Sequence, residues 1–434
     1  MATVIENDNC RYEVVKVLNP DGQVLNVTIA EGAAAIYPPS VSNDAFGRLR
    51  VSNPFTLFDS SHRYGDNGLW ATSTASGGTS AHDANEGLIN LNVDATNGSS
   101  VIRETVRVFA YQPGKSLLVM NTLAFNVGKT GLRQRVGNFN AANGFFVQLN
   151  GTDLSIVSRS SVTGTVVDTV VPRADWNIDK LDGNGPSGIT INPERVQIFW
   201  TDYEWLGAGN VRVGFVYNGQ FVHCHTFQHA NNISTTYITT ATLPLRYEIT
   251  NTAATGSSST LKQICSTVLS EGGYQLRGRG GVINTPINSA TAMATSGDYY
   301  PLMSIRLRAT RLDAVVVPTG IQVLGGSNTV DYNWRLVLGG TSTGGTWTAV
   351  AGGSPVEFNR TMTSFAGGRV IATGYLSGSA QGNAPIDLSR EELFKYQLQR
   401  DGLAGTATEL TVLATASSNS TSAFTSINWD EVVY

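Results

Sequence analysis

The sequence predicts an all-β protein: two antiparallel β-sandwich or jelly-roll domains, an extended N-terminal arm, and one short helix in the second domain. Three observations predict it. Between Phe46 and Tyr274, short alternating apolar runs follow one another with Gly and Asn turns and no helical stretch between them, a pattern that favours an antiparallel sandwich over a parallel sheet. The same alternation resumes after a glycine-rich break near residue 280. Charged residues make up 14% of the chain and 46 of its 434 residues are glycine, against averages of roughly 25% charged and about 7% glycine. A polar but weakly charged surface of Gly, Ser, Thr and Asn suits many tight turns, because Gly and Asn tolerate positive φ.

A chain of 434 residues exceeds what one hydrophobic core usually supports, so two domains are expected. Residues 1–45 offer one alternating hairpin, Tyr12–Leu18 and Val24–Ile29, joined by Asn19, Pro20, Asp21 and Gly22, and then an extended stretch from Ala33 to Pro39. With so little apolar content they form either an added edge hairpin or an arm on a neighbour. Residues 46–274 are the first sandwich. Val101–Phe109 alternates, with Ile102, Glu104, Val106 and Val108 on one side and Arg103, Thr105 and Arg107 on the other. Ser116–Met120 is an apolar run, and Leu123, Phe125 and Val127 share a face. Phe145–Leu149 leads through Asn150 and Gly151 into Leu154–Val157, a hairpin by its turn chemistry. Arg195–Trp205 and Val211–Phe227 supply two long strands, the second broken at Asn218 and Gly219. Residues 275–290 read as a linker. In residues 291–434, Ser304–Thr310, Ala314–Val317, Tyr332–Leu338, Val370–Leu376 and Glu409–Thr415 read as strands, with Tyr332, Trp334, Leu336 and Leu338 on one face. Ser389–Gln399 reads as the helix: Ser389 and Glu392 make a capping box ahead of an apolar stripe of Leu393, Phe394 and Leu398.

Composition also excludes some functions. A net charge of -4 and a pI near 5.8 argue against nucleic acid as a partner, since that affinity comes from neutralising phosphates. Of the 29 basic residues only Lys16, Lys115, Lys129, Lys180, Lys262 and Lys395 are lysines; arginine in such excess is an interface composition, or a bias of the genome. Cys10, Cys224 and Cys265 are odd in number and lack metal-type spacing, so no disulfide framework is implied. The polar start of the chain and the lack of any stretch of ~20 apolar residues argue against export and membrane insertion.

Four stretches carry residue types capable of chemistry. In Trp200–Trp205 two acids two apart on a strand, Asp202 and Glu204, share a face. The motif of laminarinase-like hydrolases, Glu-x-Asp-x-Glu, has a glutamate where Trp200 stands, so one of two catalytic carboxylates is missing and no catalytic residue is assigned. His223, Cys224, His225 and His229 are zinc-type ligands. A two-residue turn at Asn218 and Gly219 would set Gly214 opposite His223 and Arg212 opposite His225, with both histidines on one face and Cys224 on the other. A packed or interface histidine pair is then expected, not a metal. Asp179, Asp182 and Asn184 among glycines form a loose calcium-like loop off the usual spacing, better read as a turn that bonds its own backbone. Gly278 and Gly280 flank Arg279 without the strand and helix that a phosphate loop needs. No cofactor is expected.

The stretch Ala45–Ser60 (AFGRLRVSNPFTLFDS), with Arg63, Tyr64 and Gly65, resembles virion structural proteins of large tailed bacteriophages, cyanophages and other marine phages among them. Leu181–Gly188 (LDGNGPSG), Glu204–Gly209 (EWLGAG), Leu243–Glu248 (LPLRYE) and Ser270–Tyr274 (SEGGY) are similar to stretches of the same group, so the resemblance covers roughly residues 45–275. It implies a place in the virion, on capsid, collar, tail or baseplate, and no catalytic residue. The expected partners are copies of the chain itself, as a homo-oligomer such as a trimer, and other virion proteins. Phe46, Arg48, Arg50, Phe55, Phe58, Tyr64 and Trp70 are the expected contact residues, because aromatics crowd there with little alternation. The alternative is a host-binding fibre whose second domain contacts cell-surface glycan through Trp347 and Tyr375.

Overall fold

The computed structural model describes residues 53–379 and 396–433 with their side chains, and short strands within residues 3–36 and at Ile386–Asp387 by their backbone. Met1–Asn53 is one compact unit and Pro54–Tyr434 another. In the first unit Thr3–Asn7 pairs with Cys10–Val14, Val17–Leu18 with Val24–Leu25, and Val27–Ala30 with Ala33–Ile36, all antiparallel. Only the innermost rungs of the expected hairpin form. The outer parts of its strands pair with segments nearer in sequence, whose closure costs less entropy.

The second unit holds two antiparallel sandwiches. In the first, an eight-stranded sheet runs in the order Gln220–Gln228, Asn210–Tyr217, Gln197–Tyr203, Leu117–Ala124, Ser259–Ser270, Leu88–Val93 and Thr79–Asp83, and Phe55–Ser61 pairs with the other half of Ser259–Ser270. The opposing seven-stranded sheet runs Val167–Pro172, Asp153–Ser160, Gly144–Asn150, Leu132–Phe139, Leu245–Asn251, Ser100–Thr105 and Trp70–Ala75. Alternate side chains of both, among them Leu91, Leu123, Val136, Phe145 and Leu261, form one buried core. Each such side chain contributes about 1.5–3 kcal/mol by leaving water. Asn218 (φ 49°) and Gly219 (φ 79°) both have the positive φ of a type I′ turn and set Tyr217 opposite Gln220, as expected.

The strand at Ser100–Thr105 departs from its expected facing. Arg103, placed by pattern on the side away from the apolar residues, is 1% exposed between the sheets, where it donates to Gln263 and Thr72 (2.8 Å each) and to Asp66 (2.8 Å). Val101 accompanies it into the core, so the odd positions face inward and Glu104 faces out. An inward arginine is tolerated because bonds from its Nε and Nη1 replace part of what it gave up to water, while its buried Nη2 finds no partner among the described residues. Val127, assigned to one face with Leu123 and Phe125, is 58% exposed; those two are buried.

The second sandwich pairs a five-stranded sheet with a six-stranded one. The former runs Arg279–Asn284, Thr421–Val433, Val315–Gly325 and Ile386–Asp387, with Thr291–Met293 also on Thr421–Val433. The latter runs Thr348–Ala349, Val356–Asn359, Tyr300–Leu307, Leu410–Ala416, Tyr332–Leu338 and Arg369–Leu376. Tyr332, Trp334, Leu336 and Leu338 all enter its core, as their alternation predicts. Two expectations are corrected. Part of the supposed linker is the strand Arg279–Asn284, paired rung by rung with Thr421–Val433. Residues 389–395 of the supposed helix lie outside the described residues; Tyr396 has 3-10 geometry, and from Gln397 on the chain is not helical, where Leu398 donates its N–H to Val316 O (2.9 Å) and buries its side chain in the second core.

The sandwiches are fused. Val108, Ala110, Val315 and Val317 form a small buried cluster with Leu276, Val432 and Val433 packed on it. Beside it Glu104, 1% exposed, accepts from Arg246 (2.7 Å) of its own sandwich and from Arg400 (2.6 Å) of the other. Arg400 also donates its N–H to Val106 O (2.9 Å).

Candidate functional site

Along Gln197–Tyr203 the period of two sends Phe199 and Tyr203 into the core and Trp200 and Asp202 to the other face. Asp202 lies opposite Arg212 in the neighbouring strand, and their side chains are ion-paired. Glu204 follows the strand end; its N–H donates to Asn210 O (3.2 Å), and its C=O accepts from the Tyr237 hydroxyl. Ser116, Asp202, Glu204, Asn210 and Arg212 line a cavity of about 280 Å³, and the Ser116 hydroxyl donates to Glu271. Burial pushes the Asp202 carboxyl above its ordinary value; Arg212 pulls it back, and Glu271 and Glu204 add to the rise. Asp202 is thus a buried acid tied to one guanidinium, not a free partner for Glu204. Trp200, where the hydrolase motif has its first glutamate, is 5% exposed, with Phe221 and His223 rings at 5.5 and 5.8 Å and its Nε1–H on Phe215 O (3.2 Å).

A β-bulge overturns the expected histidine geometry. Gly214 does face His223, but the register shifts there, so Val213 faces His225 and Arg212 faces Thr226. The extra residue is Cys224. It is buried in the core, and His225 accompanies it inward, edge-on to Phe227 at 4.7 Å with Asn177 N–H on its Nδ1 (3.3 Å). His223 remains outside against Trp200, so the two histidines do not share a face. His229 stacks on Tyr237 at 4.1 Å. Among the described residues no three His, Cys, Asp or Glu side chains converge as a metal would require.

The loop after residue 178 is organised by its own backbone. Asp179, 3% exposed, accepts from Leu181 N–H (2.9 Å) and Ser187 N–H (2.8 Å), and Asp182 accepts from Asn184 N–H (2.9 Å). Gly185 is required there, since a Cβ would lie 2.2 Å from the Asp179 carboxylate.

Of the expected contact residues, Phe46, Arg48 and Arg50 lie outside the described residues. Phe58 and Trp70 are core side chains, 4% and 6% exposed, in contact with each other at 6.1 Å, so neither is open to a neighbour. Their run lacked alternation because Phe55–Ser61 carries a bulge in its pairing to Ser259–Ser270. Phe55 is half-buried on Tyr274 (6.3 Å), and Tyr64 is 94% exposed. Trp347 and Tyr375 do not form one platform. Tyr375 is exposed on one edge strand of the six-stranded sheet, and Trp347 immediately precedes the strand at the other edge, its ring covered by the Arg306 guanidinium at 3.8 Å.

What sequence reasoning missed is a belt of ion pairs across the outer face of the seven-stranded sheet. Arg159 binds Asp168 through two bonds (2.8 and 2.9 Å), Arg135 and Arg133 approach Glu248 (3.6 and 3.2 Å), and Arg246 joins Glu104. Arg135 and Arg159 lie over Phe146, each 5.2 Å from its centroid, and Arg246 lies over Phe139 at 5.5 Å. The signal was present as the arginine excess, which here serves contacts within the chain.

No protein-family model matches the sequence, and no characterised protein matches it by sequence. Among solved structures, the chain is similar to the Emp47p carbohydrate recognition domain (9% identity, 50% of this chain and 97% of that one, TM-score 0.32). It is also similar to a Bacteroides ovatus mixed-linkage glucan GH16 protein (9% identity, 49% and 99%, TM-score 0.33). A third likeness is the binding domain of botulinum neurotoxin serotype C1 (9% identity, 49% and 48%, TM-score 0.30).

Proposed function

We infer that this chain is a structural component of a tailed-phage virion that acts through contacts with copies of itself and with other virion proteins, without catalysis of its own. The observation that carries the reading is the fusion of the two sandwiches by the buried Glu104, Arg246 and Arg400 pairs and the apolar cluster beside them. Two sandwiches tied in this way make a spacer of fixed geometry, which a shell or tail needs and a hinged enzyme or lectin does not. The stretches between residues 45 and 275 that resemble phage virion proteins support the same reading, and the engagement of Asp202 by Arg212 weighs against a hydrolytic pair. Gold-labelled antibody against the chain, applied to intact particles and viewed by electron microscopy, tests it. Label at a fixed position on head, neck or tail is the expected result; purified particles that carry no label and yield none of its peptides would overturn the reading.

A further inference from the structure

The seven-stranded sheet ends on Val167–Pro172, a strand that among the described residues is paired on one side only. Its side chains are unusual for a free edge: Val166, Val167 and Val170 are 51%, 49% and 48% exposed, where proteins normally blunt open edges with lysine, bulges or covering loops. The neighbouring edge of the eight-stranded sheet is blunted in that way. Asn177 bonds both Thr226 O (2.9 Å) and Thr226 N–H (2.9 Å), and the N–H groups of Ile178 and Asp179 reach Cys224 O (3.1 Å each).

The direction of the free main-chain groups follows from register. Only Gly151 and Thr152 separate Asn150 from Asp153, so that pair is hydrogen-bonded, as a two-residue hairpin requires. Hydrogen-bonded and non-bonded pairs alternate along an antiparallel ladder. Ile156, Ser158 and Ser160 therefore turn their polar groups toward Val171, Thr169 and Val167. Asp168 and Val170 are left with N–H and C=O pointing out of the sheet. Pro172 falls on the same outward side, where its missing N–H breaks no ladder bond.

We propose that this edge pairs antiparallel with the same edge of a second copy of the chain, about a two-fold axis through Thr169, to give an isologous dimer with one sheet continuous across it. Such an axis stands perpendicular to the sheet and preserves its faces, so it must pass through a residue, not between two. Centred on Thr169, Asp168 faces the partner's Val170 and Val170 faces the partner's Asp168, and each pair exchanges two hydrogen bonds. Thr169 meets its own copy, a favourable cross-strand pair, and Val167 meets the partner's Val171. Other centres are worse. An axis through Asp168 sets two carboxylates face to face, and one through Val170 brings the partner's Pro172, which has no N–H to give, from the end of the ladder opposite Val166 to a place inside it opposite Asp168. Charge complementarity is already met within the strand, since Arg159 holds Asp168 through both oxygens and the other residues of Val167–Pro172 are uncharged. This interface rests on the reading that the chain works through copies of itself.

The test is light scattering and sedimentation of the full chain with two variants of the exposed Thr169. Thr169→Lys places two ammonium groups across the axis and is expected to raise the dimer dissociation constant at least about ten-fold, with circular dichroism unchanged and melting equal to that of the wild-type chain at concentrations where it is monomeric. Thr169→Cys brings two thiols onto Cα atoms about 4.5 Å apart, within reach of a disulfide; mild oxidation should link the copies, and peptide mapping should find the bridge at position 169 rather than at Cys265. A wild-type mass unaffected by Thr169→Lys, or a Thr169→Cys chain that stays unlinked, overturns the interface. If that happens with the protein present in particles, the virion reading stands. A two-fold dimer of a chain absent from particles keeps the interface and removes the virion reading.

Discussion

Asp168 and Asp202 are carboxylates on strands, each opposite an arginine, yet they respond to pH in opposite directions. The hydrogen bonds from Arg159 hold the Asp168 carboxyl below its ordinary value, against the opposing effect of burial. A depressed folded pKa means the stabilisation is present above the ordinary carboxylate range and is lost as pH falls through the folded value. Asp168→Asn is therefore expected to weaken the chain by about 1 kcal/mol at neutral pH, with the deficit closing in acid; urea unfolding at both pH values measures it. Burial raises Asp202 despite Arg212. Its favourable contribution is complete below the ordinary range and lost as pH rises through the folded value, so Asp202→Asn should match or exceed the wild-type chain at neutral pH in the same assay. This difference was not legible in the sequence, where Asp202 stood out because of a motif and Asp168 did not stand out at all. Tyr64 and Phe58 differ in the same way, since one aromatic is 94% exposed and the other 4% within the same segment. Residue type marks a capacity for contact, but only packing decides whether the chain itself uses it.

A strand's register decides what its side chains can reach, and a single bulge rewrites it. The turn at Asn218 and Gly219 was readable because both positions need positive φ. The bulge at Cys224 was not, and its effect was to carry His225 to the opposite face from His223. Gly214 sits at that shift for a steric reason: a Cβ there would lie 2.0 Å from Val222 O and 2.9 Å from the Trp200 ring. Gly214→Ala is expected to cost about 1–3 kcal/mol, read as a lower urea midpoint with an unchanged slope. The strand at Tyr332–Leu338 was fully legible, since every alternate residue is large and apolar and the one register shift in its pairing to Arg369–Leu376 falls on the partner strand, at Ile371. Ser100–Thr105 was not, because Arg103 finds Gln263, Thr72 and Asp66 inside the sandwich, and no local pattern announces partners from three other segments.

At the scale of the molecule, two sandwiches were foreseen but their fusion was not, because Glu104 and Arg400 are 296 residues apart in sequence. Glu104→Ala leaves both Arg246 and Arg400 buried without this counter-charge and is expected to cost about 3–5 kcal/mol. Scanning calorimetry should then resolve two transitions where the wild-type chain shows one. Replacing Glu104, Arg246 and Arg400 together by apolar residues of similar volume should recover most of the loss, since a buried ion network is often no more stable than good packing. The layout of the first sandwich has one further consequence, for the order in which the protein is made. Ser259–Ser270 is the last strand of that sandwich to be synthesised, yet it lies inside the eight-stranded sheet and holds both Phe55–Ser61 and Leu88–Val93 in place. The Thr267 hydroxyl reaches Phe58 O across 209 residues, a span that takes roughly 10–40 s to translate at about 5–20 residues per second. During that interval Phe55–Ser61 has no strand to pair with, so slowing translation should lower the soluble yield, and a chaperone that shields nascent strands should restore it.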